Sequence, residues 1–489
     1  MTTSTADESV HPAQHVPRPR ARVSRFLQIV LLATFAAHVP VALAVVEIAR
    51  RFDAPMPWAV GIAWGLLGSA LFIGRARASL PDRRRHPALV RFVDIPYFIH
   101  WCAAVWAFIP SVLATVVVPV IDIARGSPVH LPMGWYAGCY LSGLVVCGYG
   151  ILVRRRWFQV VEREVHIPGL DARLDGLRIA QLSDLHVGTL TPRTWGLAWS
   201  RAANRRAPDL AVVTGDLVTS GTQYHEDVAG VIGALRARLG VYVSMGNHDY
   251  FGEGEPLISS LGAHGARVLR NEGVVVEHGG AKVWLAAIDD TWTRRDDLAR
   301  ALRDRPPGMT TILLAHDPSR FDEAAAAGVH LVLSGHTHGG QIAVPFFSRA
   351  IGLANLAHRY RLGFYRLGRS TLYVHPGLGT TGPPMRLGVA PEVTILVLRA
   401  DHSSGTHSNR ASGSSPRYTR SGASARARPR NAGGRVSIGV ESLSPPAPAA
   451  FSTISRSDSD SRGSSTMGAS SGRPAAARAV AKASRRPPR

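Results

Sequence analysis

Two kinds of hydrophobic pattern divide this chain. The N-terminal part carries four long apolar runs, at about 26–46, 55–74, 95–121 and 131–153. Each reaches the roughly 20 residues that a helix needs to cross a bilayer. The last three contain no Asp, Glu, Lys or Arg. From about residue 157 the apolar runs become short and β-like. They alternate with stretches of helical character at 192–206, 227–239 and 296–302. That alternation predicts stacked βαβ units. Residues 157–167 read as an edge strand joining the spans to this domain, and no internal repeat is visible. Past residue 400 both patterns stop.

The short runs end alike. Residues 177–182 lead into Ser183-Asp184-Leu185-His186, and 210–213 into Thr214-Gly215-Asp216. Residues 241–245 lead into Gly246-Asn247-His248-Asp249, and 311–314 into Ala315-His316-Asp317. Residues 329–333 lead into Ser334-Gly335-His336-Thr337-His338-Gly339-Gly340. In open α/β sheets, ligands bind at the carboxyl ends of the strands. Five strand ends are therefore expected to deliver oxygen and nitrogen donors to one edge. In an extended strand end, residues i and i+2 face the same side, so His336 and His338 are expected to share a cleft. Mixed nitrogen and oxygen donors suit Mn, Fe, Co or Zn better than Ca. The three cysteines, Cys102, Cys139 and Cys147, all fall within apolar runs. Their odd count and lack of spacing argue against a disulfide framework.

The order Asp-x-His, Gly-Asp, Gly-Asn-His-Asp, His, Gly-His-Thr-His resembles the calcineurin-like metallophosphoesterase family over roughly residues 157–400. The ending Val374-His375-Pro376-Gly377-Leu378-Gly379 through Pro391-Glu392-Val393 looks like its membrane-associated branch. The resemblance implies an α/β fold: a four-layer α-β-β-α domain, two facing mixed sheets flanked by helices, preceded here by about four transmembrane helices. It implies two divalent metal ions. Asp184, His186, Asp216 and His338 would hold the first, and Asp216, Asn247, His316 and His336 the second. Asp216 would bridge ions about 3.5–4 Å apart. A water shared by two cations becomes hydroxide near neutral pH and attacks phosphorus in line. His248 is expected to protonate the leaving oxygen or stabilise its charge. Asp249 is expected to orient His248 or a neighbouring ligand. Arg359, Arg361 and Arg386 are candidates for gripping substrate phosphate, with a plain surface role equally open. There is one departure: the family often has Gly-Asp-x-x-Asp, and here Thr219 stands at the second Asp.

Other polar residues read as structural. His330, His358 and His375 match no ligand position. Asp289-Asp290 and Asp296-Asp297 read as solvated loop and helix-start charges. His38 and His100 lie within apolar runs, where hydrogen bonds between helices are expected of them. Residues 345–353, continuing through Leu356, Arg359, Tyr360 and Arg361 to Phe364, mix aromatic, aliphatic and arginine side chains. They are expected either to enter the headgroup boundary or to cover the sheet edge.

Charge adds topology. Arg18, Arg20, Arg22 and Arg25 precede the first span, and Arg75, Arg77, Arg83, Arg84, Arg85 and Arg91 fall between the second and third. Arg154, Arg155 and Arg156 follow the fourth, whereas the loop between third and fourth has only Arg125. Basic loops stay cytoplasmic, which predicts an integral membrane protein with both termini and the phosphoesterase domain in the cytoplasm. Ala42-Leu43-Ala44 resembles a cleavage site, but its apolar run is longer than the ~7–15 residues of a signal-peptide core. The implied organisation is a basic segment at 1–24, a membrane domain at 25–156, the phosphoesterase domain at 157–400 and a tail at 401–489.

The tail is rich in Ser, Arg, Ala, Pro and Gly, a composition that predicts disorder. It holds 15 Lys+Arg against 4 Asp+Glu, half of the formal net charge of +22. Without interleaved aromatics or a nucleic-acid motif, it fits attraction to anionic lipid better than to nucleic acid. The whole pattern predicts a membrane-bound phosphoesterase acting on a phosphoester or pyrophosphate. A lipid-linked substrate such as a UDP-linked acylated glucosamine fits the membrane attachment. The alternative is a non-catalytic phosphate-ligand sensor on the same fold. A transporter gains little support from spans almost free of charge.

Overall fold

The long apolar runs fold as helices. The computed structural model describes residues 25–79, 84–128, 131–132, 134–343 and 358–401. The basic N-terminal segment, residues 344–357 and the basic tail, with the expectations placed on them, lie outside the described residues. The helices are α1 (Arg25–Arg51), α2 (Pro57–Ser79), the short α3 (Pro87–Leu89), α4 (Ile95–Arg125) and α5 (Trp135–Tyr149). A π-helical turn at Val90–Asp94 joins α3 to α4, and a second at Gly150–Arg154 ends α5. Four stretches among them are long and apolar enough to cross a membrane: Gln28–Arg51, Pro57–Arg75, Pro87–Arg125 and Trp135–Arg154. Pro40, Pro110 and Pro119 sit inside helices without ending them.

The polar residues inside these helices join them. His38 Nε2 lies 3.2 Å from His100 Nε2, His38 Nδ1 meets the Thr34 carbonyl, and His100 Nδ1 meets Tyr140 Oη at 2.7 Å. The two histidines thus link α1, α4 and α5, the interhelical role expected of them. Asp94 is fully buried between Arg75 and Arg85, pairing with both.

The short runs build two six-stranded sheets. The first contains β1 (Gln159–Pro168), β2 (Arg178–Leu182), β3 (Leu210–Thr214), β4 (Val241–Ser244), β5 (Arg267–Val268) and β12 (Glu392–Asp401), in the order β1-β12-β2-β3-β4-β5. The second contains β6 (Glu272–His278), β7 (Ala281–Ala287), β8 (Thr310–Leu314), β9 (Leu331–Ser334), β10 (Gly363–Leu367) and β11 (Ser370–Val374), in the order β10-β11-β9-β8-β7-β6. β1 takes the edge position its sequence predicts. β2, β3 and β4 run parallel in one sheet, and β7, β8, β9 and β11 in the other. All the strands that precede candidate ligands therefore point their carboxyl ends the same way within their sheet.

Both faces of each sheet are apolar, which fixes the layering. Along β3, Leu210 and Val212 join the core between the sheets, while Ala211 and Val213 join the core under the helices. Along β8, Ile312 and Leu314 face the inner core, and Leu313 the outer one. The two-residue period of a strand produces this division. Helices α6 (Arg193–Asn204), α7 (His225–Ile232) and α8 (Gly254–Ala263) cover the first sheet through Trp199, Val228, Ile232, Leu257 and Leu261. Helices α9 (Leu298–Leu302) and α10 (Phe321–Ala326) cover the second through Leu298, Phe321 and Ala324. This is the four-layer α-β-β-α arrangement.

One reading is corrected. Asp289 and Asp290 are buried, not solvated. Asp289 accepts from Tyr250 Oη and Arg270 Nε, and Asp290 accepts from the amides of Trp292 and Thr293. These bonds offset the cost of burying the charges. Asp296 pairs with Arg320, and Asp297 caps α9 through the Arg300 amide, as a helix-start residue should. Phe364, on the edge strand β10, is partly buried and packs on Tyr373 against the inner core.

Candidate metal centre

Each candidate ligand stands two to four residues past a strand end, where the backbone is free to leave the sheet. It does so sharply. Asp184, His186, Asp216, His336 and His338 all have positive φ, between 45° and 69°. Non-glycine residues in that region cost free energy, and such outliers cluster at functional sites. His336 and His338 therefore do not reach a common cleft by extended i, i+2 alternation as expected. β9 ends at Ser334, and a left-handed turn carries them to different places. The residues between allow close approach. A Cβ on Gly335 would collide with Ser183 Oγ and the Asp184 carboxylate, and one on Gly246 with the Asp216 carboxylate.

The outcome is two groups of donors sharing one carboxylate. Asp184, His186, Asp216 and His338 bring ligand atoms within 4.8 Å of one another, all buried. Asp216, His316 and His336 form the second group, with His336 half-buried. Asp216 belongs to both. Its Oδ2 lies 3.5 Å from His186 Nε2 and its Oδ1 3.3 Å from His316 Nε2. His338 Nε2 lies 3.1 Å from His186 Nε2 and 3.3 Å from Asp184 Oδ1. His336 Nδ1 is 3.2 Å from His316 Nε2. Three nitrogen and carboxylate groups facing one point at these distances repel or leave lone pairs unpaired unless a cation sits between them.

Two observations test whether a metal fits. First, Asn247 is buried and its Oδ1 has no hydrogen-bond partner. A buried acceptor left alone is costly, and a cation would satisfy it. Second, the charges are arranged for one. Burial, with Asp216 close by, pushes Asp184 up to about 7, while burial pulls His186 down to about 3 and His336 to about 4. Those imidazoles keep free lone pairs. Burial would lower His316 too, but the Asp216 and Asp184 carboxylates outweigh it and raise this group well above its ordinary value. A proton there stands where a metal ion would compensate the same carboxylates. His316 Nδ1 donates to the Thr214 carbonyl at 2.8 Å, leaving Nε2 as the ligand nitrogen. The residues fit two divalent ions.

The residues around the ligands do different work from that expected of some. Asp249 does not hydrogen-bond the His248 ring. Its carboxylate accepts from the amides of Leu217, Val218 and Gly246, tying the loop after β3 to the loop after β4. His248 is held instead by backbone: its amide donates to Asp216 Oδ1, and its Nδ1 donates to the Thr219 carbonyl at 2.6 Å. Its Nε2 is left facing Thr381 Oγ1 at 3.4 Å. Thr219, at the family's Asp position, donates its hydroxyl to the His186 carbonyl at 3.0 Å. Arg386 is not available to a substrate. It has no exposed surface, and its guanidinium serves the Gly379 and Pro376 carbonyls beside His338. Arg359 is exposed and pairs with Asp322. The Arg361 carbonyl accepts from Thr337 Oγ1. His375 is buried and accepts from the Gly377 amide, and His358 stacks edge-on to His336 at 5.5 Å. Two exposed aromatics flank the centre that no sequence pattern singled out: Phe251, 4.5 Å from the His248 ring, and Trp292, 6.1 Å from the His336 ring.

Known proteins resemble this chain over the same region. The family model for calcineurin-like phosphoesterases matches residues 177–340. The transmembrane protein with metallophosphoesterase domain of Bos taurus is 35% identical over 254 residues, covering 48% of this chain and 56% of that protein. Its Danio rerio counterpart is 34% identical over 269 residues, covering 52% and 60%. The uncharacterized metallophosphoesterase YkuE of Bacillus subtilis is 31% identical over 257 residues, covering 52% of this chain and 90% of that protein. The chain thus spans little more than half the length of the two animal relatives and nearly all of the bacterial one.

Proposed function

The chain belongs to the calcineurin-like metallophosphoesterase family, and from that premise we propose that it is a membrane-bound, metal-dependent phosphoesterase. The observation that carries the reading is the pair of donor groups sharing Asp216, with the unpartnered Asn247 oxygen beside them. Two divalent ions bound there would supply Lewis acidity toward a phosphoryl group and an acidified water as nucleophile. Asp184, His186, Asp216 and His338 would hold the first ion, and Asp216, Asn247, His316 and His336 the second. His248, anchored through Nδ1 on the Thr219 carbonyl, presents Nε2 to the leaving oxygen and delivers its proton.

The substrate in this reading is a lipid-linked phosphoester or pyrophosphate, and the domain faces the cytoplasm, the side of the arginine-rich loops. Contacts between helices and site loops support work at the membrane surface. Arg84, between α2 and α3, donates to the Gln223 carbonyl, pairs with Asp227 and lies over the Tyr224 ring. Tyr224 Oη in turn meets Thr189 Oγ1. Arg155, just past α5, donates to the Leu190 carbonyl.

The test uses the full chain purified in detergent. Metal content is measured, and hydrolysis is followed on an aryl phosphodiester, then on lipid phosphates, nucleotides and cyclic nucleotides. Two bound ions with turnover highest on a lipid phosphate is the expected result. Bound metal with no turnover on any of them would make the chain a sensor of phosphate ligands. A cytoplasmic reporter fused after Ala400 should be active; silence there would reverse the topology.

A further inference from the structure

The end of the last membrane helix packs against the turn that supports the metal centre. Gly150, the first residue of the π-helical turn that ends α5, is buried. A Cβ on it would lie 2.6 Å from Met385 Cγ and 3.1 Å from the Arg386 carbonyl oxygen. The Arg386 amide donates to the Gly150 carbonyl at 3.3 Å. Met385 shares an apolar cluster with Ile95, Cys102, Cys147 and Ile151 of the helices, and Leu190 and Ile342 of the phosphoesterase domain pack against it.

From Arg386 the connection runs to the ligands. Its Nε and Nη2 donate to the Gly379 carbonyl at 3.1 and 2.7 Å, and Nη1 donates to the Pro376 carbonyl at 2.9 Å. Nη2 also lies 3.3 Å from His338 Nδ1. The turn so pinned is bonded to the strand end that carries Asp184. The Gly379 amide donates to the Asp184 carbonyl at 2.7 Å, and the Leu378 amide to the Ser183 carbonyl at 3.1 Å. A Cβ on Gly377 would lie 3.0 Å from Asp184 Cβ and 3.2 Å from His338 Nδ1. No slack is left between Arg386 and two first-metal ligands. A fully buried guanidinium is retained only where its planar fork is matched by acceptors, and here carbonyls supply them.

We propose that the last membrane span is a working part of the first metal subsite: the Gly150–Met385–Arg386 contact sets Arg386, and Arg386 is a positioning residue that holds Asp184 and His338 at metal-binding spacing. This rests on the metal-centre reading above. Close-packed interiors pass on displacement, so a wedge at Gly150 moves Met385 and Arg386 and through them the ligands. The second subsite is one step further from this turn: its His316 is set by the Thr214 carbonyl, and its His336 meets the turn through the Asp184 carboxylate, which accepts from the His336 amide.

The test titrates the full chain in detergent with Mn²⁺, counting bound ions by electron paramagnetic resonance. Wild type should bind two. Gly150→Leu and Arg386→Lys should weaken one ion by on the order of 10–100-fold, the usual loss when a ligand's support is removed, and weaken the other far less. Gly150→Ala should fall between, and it carries the test if the leucine variant does not fold. Gly138→Leu, on the same helix where a Cβ would meet nothing within 4 Å, should match wild type. Two unchanged ions in the Gly150 variants would overturn the proposal, and so would equal weakening of both ions or an equal effect of Gly138→Leu. If wild type itself binds no Mn²⁺, the metal-centre reading fails and takes the proposal with it.

Discussion

The two donor groups are built from the same residue types and sit in different surroundings. In the first, Asp184, His186, Asp216 and His338 are all buried, and the Arg386 turn closes over them. In the second, His316 is buried but His336 only partly so, beside the His358 ring and the exposed Trp292. The difference separates holding from access. A sealed site keeps its ion by excluding water and fixing geometry; an open one lets ion and substrate exchange. Asp216 supplies a carboxylate to both groups, so it gives the sharpest way to break the comparison. Asp216→Ala should remove both ions and reduce turnover to background, read by metal analysis and aryl phosphodiester hydrolysis. Retention of one ion would mean that the groups do not share a bridge.

His248 belongs to neither group. It lies edge-on to His186 at 4.7 Å, and it is fixed by backbone on the Thr219 side. His248→Gln should therefore leave both ions in place and slow turnover by roughly 10²–10⁴-fold, the range for a lost general acid. The loss should shrink with substrates whose leaving group needs no proton, such as p-nitrophenol. Loss of metal equal to that of Asp216→Ala would remove His248 from its assigned role.

Much of this was legible in the sequence because the chemistry is local. Donors in a fixed order at five strand ends carry the family resemblance, and through it come the six Asp and His residues that the structure groups, with Asn247 beside them. Where the structure differs, the cause is shared. The partners of Asp249, Arg386 and Asp289 are backbone amides, carbonyls or distant side chains that no spacing reveals, although the bonds of Asp249 beside Asp216 and Asn247 accord with its expected support of a neighbouring ligand. Asp249 is spent on three amides, Arg386 on carbonyls of its own turn, and Asp289 on Tyr250 and Arg270. The positive φ of five ligands was equally hidden, since nothing in an Asp or His announces a left-handed backbone.

Chelation sharpens the comparison at smaller scale. If the first group is sealed and the second open, graded chelator should remove ions in two phases, the faster from the second subsite. His336→Ala should abolish the fast phase and leave the slow one. His338→Ala should do the reverse, leaving a single weakly held ion. One common phase in wild type, followed by inductively coupled plasma analysis of the retained metal, would show that the subsites empty together and that burial does not distinguish them.

The smallest effect concerns Thr219, the departure from the family pattern. Its hydroxyl donates to the His186 carbonyl, and its own carbonyl accepts from His248 Nδ1. Thr219→Val keeps shape and backbone and removes only the hydroxyl bond, worth about 1 kcal/mol. Turnover should fall by less than tenfold, because tenfold requires about 1.4 kcal/mol of barrier. Thr219→Asp restores the residue the family often carries, yet an ionised carboxylate has no proton to give the His186 carbonyl and would face it with like charge. The aspartate variant should therefore be slower than the valine one, although it matches the family better. Steady-state hydrolysis by the two variants under identical metal loading decides it. An aspartate variant as fast as wild type would mean that the hydroxyl bond does not support His186 and that the first subsite is held without it.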